Sequence, residues 1–435
     1  MSLWTHLGFQ QNPYFATPIE VSKPGADLFV GRGHEVRRMI NKWDEPNGCV
    51  TIIGGNIGTG KTSFLNVCQY LCFEGVRQFE LPYDPPRLVP AFDKVQLESD
   101  ADDRRLILQV LWSAARSVDR AFQERGLTPP ALSAELVHWL GTTTAGYSAT
   151  SGGGPTVAGR GLQGSGGGHS LPLREPGAVP LDSLAAKLAD LAAEVANESV
   201  YRGLVVALDN IELIESARVV ALLNQYRDTL FSTPRVWWVL IGQRGLFDLL
   251  DAESPRVTQR IKGTETTLDG LSWDDFHLAV SIRIENFRTR KDAVAPLGED
   301  LLRILFDASA GEIRYVFKMA DQIVSDALAR DPHIRNVEPK MAEGILRDAV
   351  AEQLERLYLD VREKKVLKGM RERNSVRPKD FKEFGFQNAP NFLQGVLQPL
   401  QDKGLVSKST QGNAALYSLR PLAILGARFN LLDAG

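Results

Sequence analysis

The chain has 435 residues, 43% of them apolar and 24% charged, with 50 Lys and Arg against 53 Asp and Glu, a net charge of −3 and a pI of about 6.2. That length allows two or three domains with a large buried core, and the near-neutral balance excludes a uniformly polybasic nucleic-acid binder, so any such role must rest on a local patch. Three cysteines form no disulfide framework and suit a reducing compartment; with no signal peptide at residues 1–6 and no apolar run of the roughly 18 residues a membrane span needs, a cytoplasmic protein is expected.

Residues 1–48 form a lead-in. Asn12-Pro13-Tyr14-Phe15 reads as a turn with aromatics, and residues 35–43 have helical character. Phe29 and Val30 are candidates for one wall of an adenine slot, which needs apolar surface; plain packing of the lead-in is the alternative. Residues 49–53, apolar and β-branched, then read as a buried strand.

Directly after that strand stands Gly55-Asn56-Ile57-Gly58-Thr59-Gly60-Lys61-Thr62, the pattern G-x-x-x-x-G-K-T, followed from Ser63 by a helical run. Strand, glycine loop and helix together make a phosphate-binding loop rather than a chance glycine turn. Glycines let backbone N–H groups face an anion, and the helix start adds the positive end of its dipole. Lys61 is expected to reach β- and γ-phosphates of ATP, and the Thr62 hydroxyl to ligate Mg²⁺. Cys68 and Cys72 lie one helical turn apart in the helix that follows. With no histidine nearby they read as buried structural thiols rather than a metal site.

Residues 88–92 predict a second strand, whose Pro90 suits an edge or a bend. Residues 102–124 predict a helix with an apolar stripe through Leu106, Val110 and Ala114. Residues 141–180 are dominated by glycine with Ser and Thr between, and read as an insertion, disordered or a loose hairpin. A mobile loop that binds nucleic acid or a partner is the other reading.

A helix from Leu181 to Asn197 precedes residues 203–210, a continuous apolar run ending in Asp209 and Asn210. In a parallel sheet this puts Asp209 at a strand's C-terminal end, near the phosphate loop, where it would hold Mg²⁺ through water. After a helix at residues 217–231, residues 236–241 form a further strand ending at Gly242-Gln243-Arg244. Gln243 or Arg244 there would sense the γ-phosphate, unless the segment is only a surface turn. A short strand at residues 265–268 precedes Ser272, which reads as a helix cap. Residues 272–358 are largely helical, and Ile313, Val316, Phe317 and Ala320 line one face of an amphipathic helix.

From about residue 359 the pattern is helix, strand, turn, strand, the outline of a winged helix. Residues 351–435 hold 14 Lys and Arg against 9 Asp and Glu, a local net charge of +5. Lys364, Lys365, Lys368, Arg371 and Arg373 are the candidate contacts to double-stranded DNA, a solvated helix face being the alternative.

Taken together these pieces resemble the AAA+ superfamily of P-loop ATPases, from about residue 8 to the end. Residues 7–15 (LGFQQNPYF), LIGQ at 240–243 and the run from RVTQRI at 256–261 to LDGLSWDD at 268–275 are similar to bacterial ExeA-type and transposition-helper ATPases. SAGEIRYVFKMAD at 309–321 and the winged helix are similar to origin-recognition (initiator) ATPases, and Arg244 to the phosphate-sensing arginine of STAND NTPases. The resemblance implies an α/β fold: a P-loop NTPase with a central parallel sheet (49–271), a helical lid (272–358) and a C-terminal winged helix (359–435). It implies Walker B at Asp209, sensor 1 at Gln243 with Arg244, sensor 2 at Arg314, and an arginine finger for a neighbouring subunit at Arg260, with Arg256 its competitor.

The family's Walker B glutamate is replaced by Asn210, which can position water but cannot accept its proton; Glu212 could take over only if the strand end bends. The expected function is therefore an ATP-dependent switch with slow hydrolysis. It would self-associate with ATP, in the cleft between nucleotide domain, lid and neighbour, and act on DNA or recruit DNA-processing factors. The alternatives are a STAND-like signalling ATPase whose winged helix binds a protein partner, and a pseudo-ATPase that holds nucleotide structurally.

Overall fold

The computed structural model describes residues 3–97, 103–148, 179–211, 214–309, 311–373, 375–411 and 414–433. Glu212 and residues 149–178 of the glycine-rich segment lie outside them. The chain divides into two compact units, one of residues 19–56 and 61–268, the other of residues 1–18, 57–60 and 269–435.

The first unit is built on a parallel sheet of β1 (Val50–Gly55), β2 (Val89–Pro90), β3 (Val95–Gln96), β4 (Leu204–Asp209), β5 (Val236–Gly242) and β6 (Thr266–Leu268). The order is β2-β4-β5-β1-β6, with β3 also on β4. All residues of β1 and β5 are buried, because helices cover both faces of such a sheet and leave no solvent side for alternation. Pro90 sits in the edge strand, where its missing N–H costs no ladder bond. Register is fixed by Ile53↔Ile241 and Leu208↔Leu240, so β1, β5 and β4 end at nearly the same level.

Two expectations change here. Residues 88–92 yield only the two-residue β2, β3 being a separate short contact on β4. The glycine-rich segment begins later than composition suggests: helix Ala131–Ser148 runs through its first eight residues. Glycine density rises only at Gly152; of the residues before it, Thr carries a modest helix penalty and Ala none.

The second unit contains helices Trp273–Phe287, Glu299–Ala308, Ile313–Arg330 and Pro339–Glu355 and the winged helix. Ser272 caps the first of them, its Oγ accepting from Asp275 N at 3.1 Å. The N-terminal segment packs into this unit: Phe9 bridges to Arg288, and Asn12 donates to Asp321 at 2.9 Å. Arg283 is buried between the rings of Phe15 and Phe317, 4.2 Å from each centroid, and donates to the Phe15 carbonyl at 2.9 Å. Burial pulls its pKa down to about 10; the two ring faces supply the negative field that a carboxylate otherwise would.

In the winged helix, β7 (Ser375–Val376), β9 (Ala414–Leu419) and β8 (Val406–Gln411) form an antiparallel sheet in that order. Its first helix is Val361–Arg371, a 3₁₀ helix follows at Pro378–Phe384, and a third helix covers residues 389–402 with a π-turn at Leu393–Leu397. The basic cluster lies on and just after the first helix and much of it is engaged internally. Lys368 pairs with Asp433, Arg373 pairs with Glu383, and Arg371 donates to the Ala427 carbonyl at 2.9 Å. All three side chains stay exposed while making these contacts, and exposed ion pairs of this kind contribute little to stability.

Candidate functional site

The phosphate loop leaves β1 at Gly55 and enters helix Lys61–Glu74. Gly58 and Gly60 have φ of +79° and +88°, a backbone region that costs a side chain about 1–2 kcal/mol. A Cβ on Gly60 would meet nothing within 4 Å, so the loop stands open there. Lys61 is buried, its Nζ donating to the carbonyls of Gly55 at 2.9 Å and Asn56 at 3.2 Å. The ammonium is thus held inside the loop, where a phosphate oxygen would replace carbonyl partners. These residues fit a triphosphate. Thr62 follows half-buried. The Ser63 hydroxyl accepts from Ile19 N at 3.1 Å and so anchors the lead-in. Phe29 packs on Phe64 and Phe79, at 6.4 and 5.9 Å between ring centroids, and Val30 is half-buried.

At the same end of the sheet, Asp209 closes β4, and its Oδ1 accepts from Asn210 N at 2.8 Å. Asn210 adopts φ +63°. Asparagine enters this left-handed region more readily than glutamate, which gives a local reason for the amide at this position. Glu212 is not among the described residues. Gln243 and Arg244 are exposed at the end of β5, the strand between β4 and β1. Arg314 is exposed in the first turn of its helix. Arg260 is not brought to this end. Ile261 bridges to Val50 at the start of β1, and Arg260 pairs with Asp228 at 3.4 Å, lining a cavity of about 540 Å³ with Gln259 and Ser232. Arg256 is exposed nearby.

Among the described residues no cluster of three His, Cys, Asp or Glu side chains could hold a metal ion. Mg²⁺ is usually bound by one or two protein oxygens with phosphate oxygens and water completing its shell, and the Thr62 hydroxyl and Asp209 carboxylate are donors of that kind. The three cysteines are free, with Cys68 and Cys72 fully buried, and burial pushes both thiols up.

Two contributors carried no sequence signal. Lys94 donates to Asn66 Oδ1 on the loop helix at 2.6 Å. Burial lowers its pKa, against the pull of Asp209 and Asp93, which places a cation close to Asp209. Glu265 is buried, and its carboxylate accepts from Gly245 N and Phe247 N at 3.2 Å each, at the start of helix Leu246–Glu253. It thereby fixes the turn that follows Gln243 and Arg244. A Cβ built on Gly54 falls inside this carboxylate, so strand β1, the turn and Glu265 share one tight contact. Gly54→Ala is expected to cost about 2 kcal/mol by overpacking. The double variant Gly54→Ala with Glu265→Ala should be no less stable than Glu265→Ala alone in urea unfolding; independent, additive losses would disprove the contact.

No helix among the described residues is long and apolar enough to cross a membrane. No protein-family model and no curated protein matches the chain. Solved structures do. The ORC2 protein of Aeropyrum pernix, in ADPNP–ADP complexes, is similar over 98% of this chain and 98% of its own, with 14% identity and a TM-score of 0.47. The ORC1 protein of Aeropyrum pernix in complex with DNA is similar over 96% of each chain, with 15% identity and a TM-score of 0.46. Cdc6p of Pyrobaculum aerophilum is similar over 96% of each chain, with 14% identity and a TM-score of 0.42.

Proposed function

We propose that this protein is an ATP-binding, slowly hydrolysing switch of the AAA+ type that acts on DNA through its winged helix. The observation that carries the reading is the loop itself: two left-handed glycines and a buried lysine ammonium between a buried parallel strand and a helix N-terminus. Gly55 to Thr62 would hold the phosphates, Thr62 and Asp209 the Mg²⁺, and Phe29 and Val30 the base side. Bound Mg²⁺ would supply charge neutralisation on the phosphates. Gln243, Arg244 and Arg314 are assigned to γ-phosphate sensing, and Arg260 to a neighbouring copy's nucleotide. That last assignment requires Arg260 to leave Asp228 on assembly. Light scattering with and without ATP tests it: ATP should raise the mass of the wild type but not of Arg260→Ala, and an ATP-independent mass would disprove it.

Hydrolysis is slow in this reading because Asn210 orients water without taking its proton. Asn210→Glu should raise ATP turnover tenfold or more while costing about 1 kcal/mol for the left-handed backbone. Unchanged turnover, with ATP still bound, would show that this position does not limit the rate.

One observation favours the signalling alternative, in which the winged helix binds protein. Its third helix carries no Lys or Arg between residues 389 and 402, and three cations of the first helix region are engaged within the domain. DNA affinity that falls steeply with salt supports the DNA reading; no binding at low salt would favour the alternative.

A further inference from the structure

The third winged-helix segment is unusual for an exposed helix. Phe392, Val396, Leu397 and Leu400 are its buried side. Its exposed side carries Asn391, Gln394 and Gln398, with the bare Gly395 among them. Surface helices generally gain solubility from charge, and this one has a single charged residue, Asp402, at its last position. A Cβ on Gly395 would meet nothing within 4 Å, so the stretch between Gln394 and Gln398 is open to close approach. Asn388 caps the helix by accepting from Asn391 N at 2.8 Å, and Gln398 donates to Asp402 at 3.0 Å. Cations stand on the neighbouring elements instead. Lys379 and Lys382 are exposed on the 3₁₀ helix before it, and Lys408 is exposed on β8 after it.

This is the division of labour that base reading requires: cations position a duplex through its phosphates, and neutral donor–acceptor groups specify sequence. An Asn or Gln amide matches adenine in the major groove, accepting from N6 and donating to N7. The seven-residue step from Asn391 to Gln398 spans about 10 Å of helix, the height of about three base pairs at 3.4 Å each.

We propose that Asn391, Gln394 and Gln398 read A·T base pairs in the major groove of double-stranded DNA, with Lys379, Lys382 and Lys408 holding the backbone on either side. This rests on the DNA reading above and adds the chemistry of the site it would select. The amides, rather than the first-helix cations Lys368, Arg371 and Arg373, are then the specificity determinants.

The experiment is selection of a randomised 30-base-pair duplex library by the full-length protein with ATP, followed by affinity measurements on the recovered sequence and a scrambled duplex. The wild type should recover a motif with A·T pairs at about three consecutive positions. The triple variant Asn391→Ala, Gln394→Ala, Gln398→Ala, folded as judged by an unchanged melting temperature, should bind the scrambled duplex within threefold of wild type. It should prefer the selected one at least tenfold less. Lys379→Ser with Lys382→Ser and Lys408→Ser should weaken both duplexes equally and lower the salt slope by about three. Duplex binding without sequence preference, or a preference that survives the triple variant, overturns this inference and leaves the DNA reading intact. Failure to bind any duplex at low salt overturns both.

Discussion

Replacing Lys61 by alanine is expected to weaken binding of ATP at least 100-fold and to abolish its turnover. The ammonium is buried, and its Nζ donates to the carbonyls of Gly55 and Asn56. A triphosphate entering the loop would exchange neutral acceptors for charged ones, and charge-assisted bonds are roughly twice as strong as neutral ones. A loss of 100-fold corresponds to about 2.7 kcal/mol, within what one desolvated cation facing several phosphate oxygens supplies. Stability should change little, because the substitution also removes a buried charge. Calorimetric titration with ATP and ADP, paired with thermal melts, is the measurement. Unaltered dissociation constants for both nucleotides would remove the basis of the proposed function.

Glu363→Leu should be the most damaging single substitution in the winged helix. The side chain is buried on the first helix, and both oxygens lie 2.7 Å from Lys403 Nζ, beyond the end of the third helix. Oε2 also accepts from Asp360 N at 2.9 Å, while the Asp360 carboxylate accepts from Glu363 N at 2.7 Å, a reciprocal cap. One residue therefore starts the first helix and ties it to the end of the third. Breaking a buried pair from one side costs about 3–5 kcal/mol. Lys403 keeps part of its side chain in water, so a value of about 3 kcal/mol, at the low end, is expected. Glu363→Leu with Lys403→Met should recover much of this, since no charge is then stranded. Urea unfolding followed by tryptophan-independent circular dichroism reads both. A double variant as unstable as the single one would mean that the cap, rather than the ion pair, carries the effect.

Much of the loop end of the parallel sheet was legible because its signals are local. The G-x-x-x-x-G-K-T pattern needs only a strand before and a helix after it, and both are present. The continuous apolar runs at residues 204–209 and 236–242 mark strands buried on both faces, and their ends carry Asp209 and Gln243. What escaped depends on pairs far apart in the chain. Glu265 meets Gly54 and Gly245 only after the strands are laid side by side, and Lys94 meets Asn66 across a connection without any motif. The partners of the basic cluster escaped for the same reason. Lys368, Arg371 and Arg373 are exposed, and Asp433, Ala427 and Glu383 reach them only in the folded chain. Residues 389–401 hold no charged side chain, a feature that a search for basic residues passes over.

Arg283, clasped by Phe15 and Phe317, has a consequence for biosynthesis. Residues 1–18 belong with residues 269–435, so the α/β unit is an insertion within the other unit's chain. Phe15 is synthesised more than 250 residues before Arg283 and Phe287, and until then its ring lacks those partners. The strands β1 to β6 are all made by Leu268, within that interval, whereas the helical unit cannot close until its later helices follow. Phe15→Ser would accordingly be felt in the closure of that later unit, in yield and solubility.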